Sequence, residues 1–203
     1  VAALFVDSGT KGLSLSEPEK KMGWKASDTR SVYFDQMRIP KENILGNIGK
    51  GFKQFLKTLT IGRISISSLA LGTATGAYEL ALKYSQERIA FGKKISAFQG
   101  ISFKLADMAT QIEAAKHLVY YAAWRKDINK DFIKEAAMAK LFSSELAMRI
   151  TTDAIQLLGG YGYIREYNVE RFFRDAKILE IGEGTSEVQR IIIAREIFKS
   201  LNS

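Results

Sequence analysis

Proline is confined to the first fifth of this chain. Pro18 and Pro40 are the only two prolines among 203 residues, so none interrupts the sequence after residue 40. Because proline breaks the interior of a helix, the rest of the chain is free to form long helices. Before Pro40 the pattern differs: the aromatic and β-branched runs Val1–Val6 and Ser31–Ile39 are separated by glycine, serine and aspartate. These runs predict strands.

Helical periodicity begins after a turn region that contains Gly46, Gly49 and Gly51. One stripe recurs at spacings of three and four residues and predicts one apolar helix face: Ile101, Leu105, Met108, Ile112, Ala115 and Val119. The predicted helices are Phe52–Ser85, Phe98–Arg125, Phe132–Leu158 and a shorter Glu187–Lys199. Helices of this number and length predict a mainly α fold with an antiparallel four-helix bundle.

The predicted domain boundary lies near residue 48. Residues 1–48 form a β-rich piece that is too short to close its own core, and residues 49–203 form the helical bundle domain. The chain begins at Val1 without a methionine, so we expect a fragment of a longer protein.

Composition excludes several kinds of site. The chain has no cysteine, which excludes disulfides, thiolate nucleophiles and cysteine metal ligands. The single histidine, His117, lies in a helical stretch, so we predict a structural role for it and no metal site. The net charge of +8 favours anionic partners. The lysines and arginines are scattered along the chain, however, which predicts no nucleic-acid partner. The chain contains no run of about 18 apolar residues, so no membrane span is predicted.

The stretch EIGEGTSEVQR places a carboxylate, Glu183, between two glycines before a helix. Ser186 and Gln189 have the spacing of a capping box, which predicts the helix start. Two interpretations stay open on spacing alone. The acid could stabilise the positive end of the helix dipole by about 0.3 to 1 kcal/mol, or the bare glycine backbone on either side could serve a bound molecule.

Two further loops carry unusual residues. QLLGGYGY, residues 156–163, ends a long helix in a glycine turn, and ERIAFGKKISAFQ, residues 87–99, joins two helices with an arginine and an aromatic residue. Taken singly, the first is typical of a glycine helix cap and the second of an exposed linker.

Together with RDAKILEIGEGTSEVQR, residues 174–190, these loops resemble the C-terminal half of the acyl-CoA dehydrogenase flavoprotein family, especially its short-chain, butyryl-CoA-type members. GLSL, MGWKASDTRSVYFDQMRIPKENILG and GKGF are similar to the second half of the family's β-barrel-like middle domain. The resemblance therefore covers essentially the whole chain.

The resemblance implies an enzyme that binds FAD and a fatty acyl-CoA and forms the trans-2-enoyl-CoA. It also implies a homotetramer, arranged as a dimer of dimers, and an electron-transfer flavoprotein as acceptor. The expected location is the cytoplasm in a bacterium or the mitochondrial matrix in a eukaryote. No nucleic acid and no membrane are expected as partners.

Residue roles follow from the matched motifs. Glu183 matches the base that removes the α-proton, and its main-chain N–H is expected to bind the thioester carbonyl. An apolar acyl chain that expels water makes a carboxylate a stronger base, and Gly184 allows the close approach. The residues matched to FAD contacts are Arg88, Gln99, Gln156, Leu157, Leu158, Gly159, Gly160, Thr185, Ser186 and Glu187. Of these, Arg88 and residues 156–160 are expected to reach the FAD of a neighbouring subunit.

The segment matched to substrate contacts is Thr60, Ile61, Gly62 and Arg63, with Gly184. Some relatives carry their base at the position of Gly62, so glycine there favours Glu183 as the base. Gly182 replaces the usual aromatic residue before the base, and Thr60 replaces the usual aspartate, so acyl chain length and one CoA contact stay open.

The family's first half is absent from this chain, so we expect the fragment alone to be inactive. Two alternatives stay open: a non-catalytic relative that uses the bundle to bind DNA or a protein partner, and an oxidase that passes electrons to oxygen.

Overall fold

The computed structural model describes residues 1–201 and is mostly helical, at 66%. The predicted mainly α fold is confirmed. Five α-helices form, in order α1 Gly51–Glu87, α2 Gln99–Asp127, α3 Ile133–Leu158, α4 Val169–Ala176 and α5 Ser186–Leu201. Among residues 1–201, none of these helices combines the length and apolarity that crossing a bilayer requires.

The chain divides into two compact units, Val1–Leu59 and Thr60–Ser203. Helix α1 begins in the first unit and continues through the second. The division falls within this helix, whereas the sequence places the domain boundary near residue 48. That boundary stays a prediction.

The first unit contains four short strands in two antiparallel pairs, namely β1 Ala3–Leu4, β2 Leu13–Leu15, β3 Val32–Phe34 and β4 Ile44–Leu45. β1 pairs with β4 and β2 pairs with β3. The two predicted strands are therefore present but shorter than the runs that predicted them. A backbone turn ends the second run early, since Gln36 adopts a φ of +43°, which an extended strand does not.

Helix α3 forms the centre of the second unit and packs against α2, α4 and α5. Its buried face is rich in small side chains, which let neighbouring helices approach closely: Ala136, Ala137, Ala139, Ser143, Ser144 and Ala147. Helix α1 joins the same core through Ile64, which packs with Val119 of α2 and Ala139 of α3.

Helices α2 and α3 run antiparallel. Lys104 near the start of α2 pairs with Asp153 near the end of α3, while Arg125 near the end of α2 lies 3.6 Å from Glu135 at the start of α3. On the predicted apolar stripe of α2, four residues are buried and Ile101 and Ile112 are half-buried. The predicted stripe is therefore the core face of this helix.

The connection between α1 and α2 is a β-hairpin, formed by β5 Ile89–Ala90 and β6 Lys93–Lys94. Phe91 and Gly92 form its turn with φ values of +51° and +79°. Phe91 is 95% exposed at the tip. The segment interpreted from sequence as a plain linker thus has a defined shape.

Helix α4 was not predicted from the sequence, and it returns the chain along α1. Tyr167 lies before α4, with its ring centroid 6.2 Å from that of Tyr84 at the end of α1. Phe172 on α4 contacts α1 at Gly76, where an added Cβ would lie 2.9 Å from the ring. The chain therefore runs beside α1, from its C-terminal end towards its N-terminal end, before α5 begins.

Candidate functional site

The segment that contains α4 and the residues after it brings Glu183 to helix α1 at Gly62. A Cβ added to Gly62 would lie 2.6 Å from Oε2 of Glu183 and 3.0 Å from its carboxyl carbon. The carboxylate is therefore packed directly against the glycine backbone of the helix. Glu183 itself is half-buried, so its carboxylate is partly shielded from water and still reachable.

The turn that carries Glu183 has an unusual backbone. Glu183 has a φ of +56° and Gly184 a φ of +94°, so two consecutive residues occupy the left-handed region. Such a conformation is strained for glutamate. At Gly184 an added Cβ would lie 2.8 Å from Nε2 of Gln189, so glycine is required there for space as well as for φ.

The cap of helix α5 differs from the sequence prediction. The main-chain N–H of Val188 donates to Oγ1 of Thr185 at 3.4 Å, so Thr185 is the N-cap, and the prediction of Ser186 as the capping residue is wrong. The tight glycine turn lets the chain enter the helix one residue earlier. Gln189, predicted to complete the cap from the third position, is fully buried and donates from Nε2 to the carbonyl of Gly184 instead.

Thr185 and the main chain also act on the next acid along the helix. Glu187 is exposed, and its pKa lies below the usual value because its own main-chain N–H and the Thr185 hydroxyl donate to the carboxylate. Between them, Ser186 is buried, and its Oγ has no hydrogen-bond partner among the described residues.

Arg63 follows Gly62 on α1 and is only 6% exposed. Burial lowers the pKa of its guanidinium, the negative charge of Glu183 opposes this shift, and the positive charge of Arg195 adds to it. Among residues 1–201, Nε of Arg63 has no hydrogen-bond partner. Ile61 beside it is partly exposed at 37%, and Thr60 begins the second unit.

Lys140 of α3 is a member of this site that the sequence reasoning missed. It is fully buried, and its Nζ donates to the carbonyl of Gly184 at 2.7 Å. A signal was present in the sequence: Lys140 lies three or four residues from Ala136, Ala137, Ser143 and Ser144, all on the inward face of α3. A lysine in register with a buried face of small residues is unusual.

A second group of predicted residues meets at the C-terminal end of α1. Arg88 and the five residues 156–160 line one open cavity of about 430 Å³. Its other walls come from Tyr84, Ile95, Tyr161 and Ile164, which sequence reasoning did not select. Gln99 is an exposed residue at the start of α2 and does not line this cavity.

The cavity combines a cation with aromatic and glycine surfaces. The Arg88 guanidinium lies 5.7 Å from the ring centroid of Tyr161, and burial raises the pKa of the neighbouring Tyr84 hydroxyl. Gly159 ends α3 with a φ of +60°. A Cβ at either Gly159 or Gly160 would meet nothing within 4 Å. The guanidinium of Arg88 suits an anionic phosphate group, and the ring of Tyr161 suits a flat aromatic ring joined to that group.

The two groups lie far apart within one chain. Gly62 and the end of α1 at Glu87 are separated by 25 residues, or about 38 Å at 1.5 Å per residue. Elsewhere among residues 1–201, no cluster of three or more potential metal ligands occurs, and His117 is an exposed residue 3.4 Å from Glu113.

Comparison with known proteins identifies relatives along the whole chain. The sequence profile described as "Acyl-CoA dehydrogenase, C-terminal domain" matches residues 49–198. A probable acyl-CoA dehydrogenase of Bacillus subtilis is 53% identical over 199 residues, which cover 98% of this chain and 52% of the relative.

Solved structures agree. The butyryl-CoA dehydrogenase of Megasphaera elsdenii superposes with a TM-score of 0.95 at 48% identity, covering 97% of this chain and 51% of that one. An acyl-CoA dehydrogenase complexed with FAD from Bacillus anthracis superposes with a TM-score of 0.93 at 33% identity, covering 98% of this chain and 38% of that one. The chain thus spans about half the length of the curated relative it matches.

Proposed function

Because the chain belongs to the acyl-CoA dehydrogenase family, we propose that its full-length protein is an FAD-dependent acyl-CoA dehydrogenase. The proposed reaction converts a short- or medium-chain fatty acyl-CoA into the trans-2-enoyl-CoA. The observation that carries this proposal is the packing of the Glu183 carboxylate against Gly62, beside the buried Arg63.

Glu183 is the proposed base. Its carboxylate takes the α-proton of the thioester while a hydride leaves the β-carbon, so the substrate loses one proton and one hydride and gains a double bond. A bound FAD would supply the acceptor for that hydride. The half-buried position of Glu183 suits this role, because an acyl chain placed over it removes water and makes the carboxylate a stronger base.

The absence of a side chain at Gly62 makes room for this base. Alanine at that position would occupy the space that the carboxylate fills. Arg63 supplies a positive charge beside the base, and its buried Nε is a donor without a partner among the described residues. We propose that Arg63 and its neighbours Thr60 and Ile61 contact the CoA portion of the substrate. The main-chain N–H of Glu183 and the open backbone of Gly184 are the proposed contacts of the thioester carbonyl.

The cavity at Arg88 is the proposed site for the adenine and pyrophosphate portion of FAD. The cation of Arg88 suits the pyrophosphate, and residues 156–160 with Tyr161 provide apolar and aromatic walls. The separation of about 38 Å along α1 supports the idea that this cavity serves the FAD of a neighbouring subunit. Thr185, Ser186 and Glu187 then contact the flavin of their own subunit.

We propose in consequence a homotetramer that passes electrons to an electron-transfer flavoprotein. The fragment alone, with residues 1–48 as part of a middle domain and 49–203 as the bundle domain, is proposed to be inactive.

The test is an anaerobic titration of the full-length protein with butyryl-CoA, followed by flavin absorbance. We expect the flavin to bleach, and Glu183→Gln to slow bleaching by about a thousandfold, since general-base catalysis contributes 10² to 10⁴. Glu113→Gln makes the same chemical change at an exposed residue of α2 and is expected to bleach like the wild type.

Other outcomes separate the alternatives. Normal bleaching by Glu183→Gln overturns the assignment of the base. Salt-sensitive DNA binding with no response to any acyl-CoA supports the non-catalytic relative. Rapid reoxidation of the reduced flavin in air supports an oxidase.

A further inference from the structure

We propose that Lys140 and Gln189 are positioning residues that fix the Glu183 carboxylate against helix α1 by holding the main-chain carbonyls of Glu183 and Gly184. The structural part of this proposal concerns the turn alone. Its catalytic consequence rests on the proposed function, in which Glu183 is the base.

Two side chains from two helices converge on one peptide oxygen. Nζ of Lys140, on α3, donates to the Gly184 carbonyl at 2.7 Å, and Nε2 of Gln189, on α5, donates to the same oxygen at 2.8 Å. Gln189 also lies 3.3 Å from the carbonyl of Glu183. A carbonyl oxygen has two lone pairs, so the Gly184 oxygen is saturated by side chains. The turn is thereby attached to both helices.

The turn needs such support. Consecutive left-handed residues at positions 183 and 184 are strained where the side chain is glutamate, and strained backbone persists only where its surroundings over-determine it. In the part of the chain that the structure describes, no main-chain hydrogen bond of a regular helix holds the carbonyls of Glu183 and Gly184, since α5 begins at Ser186. The two buried side chains supply that restraint.

Burying a lysine is costly, which argues that Lys140 has a purpose there. Burial lowers its pKa to about 8, and Arg63 of α1 acts in the same direction. The carboxylates of Glu180, Glu145 and Glu187 oppose that shift. Glu180 lies in the segment before the turn, Glu145 on α3 and Glu187 on α5. Both the charged and the neutral amine carry N–H donors, so the bond to Gly184 persists through this titration.

The experiment compares Lys140→Met and Gln189→Met in the full-length holoprotein. Methionine keeps the length of each side chain and removes its donors. We expect the first-order rate of flavin bleaching at saturating butyryl-CoA to fall about tenfold to a hundredfold, because small displacements of a reacting group are this costly. The dissociation constant for butyryl-CoA is expected to rise by less than the rate falls, because the proposed CoA contacts are unchanged and only the thioester contact at the turn is disturbed.

Lys134→Met is the matched control, since Lys134 lies on the same helix with a partly exposed side chain. It is expected to bleach at the wild-type rate. A crystal structure of Lys140→Met adds a readout that does not depend on catalysis: we expect the Glu183 carboxylate to have left its position at Gly62.

The failures are distinguishable. In one outcome the wild type bleaches, Glu183→Gln does not, and both methionine variants bleach at the wild-type rate. The positioning role is then wrong and the proposed function stands. A parallel loss of bleaching rate, butyryl-CoA affinity and thermal stability also overturns it, because that pattern indicates a general structural role. If the wild type does not bleach, the proposed function fails, and the position of Glu183 in the Lys140→Met crystal still decides the structural claim. Should Lys140→Met not fold, Gln189→Met carries the same test.

Discussion

The N-terminal third of helix α1 at Gly62 and its C-terminal end at Arg88, here called its Gly62 end and its Arg88 end, are built in different ways. At Gly62 the chain surrounds a carboxylate with its own buried groups, and hydrogen bonds from two helices hold the turn. At Arg88 the chain forms an open cavity with an aromatic wall, and its two glycines meet nothing nearby. The Gly62 end is held by the chain's own groups, whereas the proposed FAD site at the Arg88 end is an open cavity.

This difference leads to a separation of effects. Changes at Gly62 or Lys140, neither of which is proposed to contact FAD, should alter the rate of the chemical step and leave cofactor retention intact. Changes at the Arg88 end should alter cofactor retention and leave the rate per bound flavin intact.

The largest effect is expected for Gly62→Ala. The new methyl group would lie 2.6 Å from Oε2 of Glu183, so the carboxylate must move, and we expect bleaching to slow by about a hundredfold. Stability should not fall, because alanine favours a helix over glycine by roughly 0.5 to 1 kcal/mol. Gly72→Ala is the matched control on the same helix, where a Cβ meets nothing within 4 Å. Equal bleaching rates in the two variants would contradict the packing of Glu183 at Gly62.

The next effect is a pH dependence of stability that comes from Lys140. Its folded pKa of about 8 lies below the ordinary value of 10.5, so between these values the unfolded chain binds more protons than the folded one. Stability relative to Lys140→Met should therefore rise with pH across this window, by about 3 kcal/mol. Urea midpoints of both full-length proteins from pH 7 to 10.5 measure it. A difference that stays flat would show that Lys140 is not desolvated.

A smaller effect is expected at the open end for Arg88→Met. Loss of the guanidinium should weaken FAD binding about tenfold, the size of one charge-assisted hydrogen bond. Arg88→Lys keeps the charge without the fork geometry and should be intermediate. FAD retention is measured by equilibrium dialysis, and bleaching is normalised to bound flavin. A slower rate per bound flavin with unchanged FAD affinity would break the separation between the two ends.

The smallest effect is expected for Gly160→Ala. The chain has room for the methyl group, so stability should be unchanged. A ligand packed on this glycine loses contacts, however, and FAD affinity should fall about threefold. Gly100→Ala, at an exposed position that is equally open, should leave FAD affinity as it is. Identical affinities in the two variants would argue that Gly160 does not touch the cofactor.

Much of the fold could be predicted from local pattern. The absence of proline and the apolar periodicity predicted the four long helices, and their observed bounds differ by only a few residues. Helix α4 escaped prediction because its eight residues provide only about two turns of periodicity. The strands are shorter than predicted, in part because Gln36, inside the second run, leaves the extended conformation with a φ of +43°.

The site was less accessible to sequence reasoning. The match to a family motif indicated Glu183 and Arg88, but spacing alone could not place Glu183 beside Gly62, since the two positions are 121 residues apart in the sequence. Lys140 and Gln189 act through the main-chain carbonyls of a turn whose shape becomes evident only after folding. Gln189 was predicted to cap the helix from its position three residues after Ser186, whereas its buried side-chain amide donates to the carbonyl of Gly184.

The central claim is that the Glu183 carboxylate, held at Gly62, reaches the α-carbon of the substrate. A crystal structure of the full-length assembly with a bound, non-reacting acyl-CoA analogue tests it most directly. The account predicts a carboxylate oxygen of Glu183 within about 3 to 3.5 Å of that carbon. A different carboxylate in that position, with Glu183 turned away from the bound thioester, would contradict it.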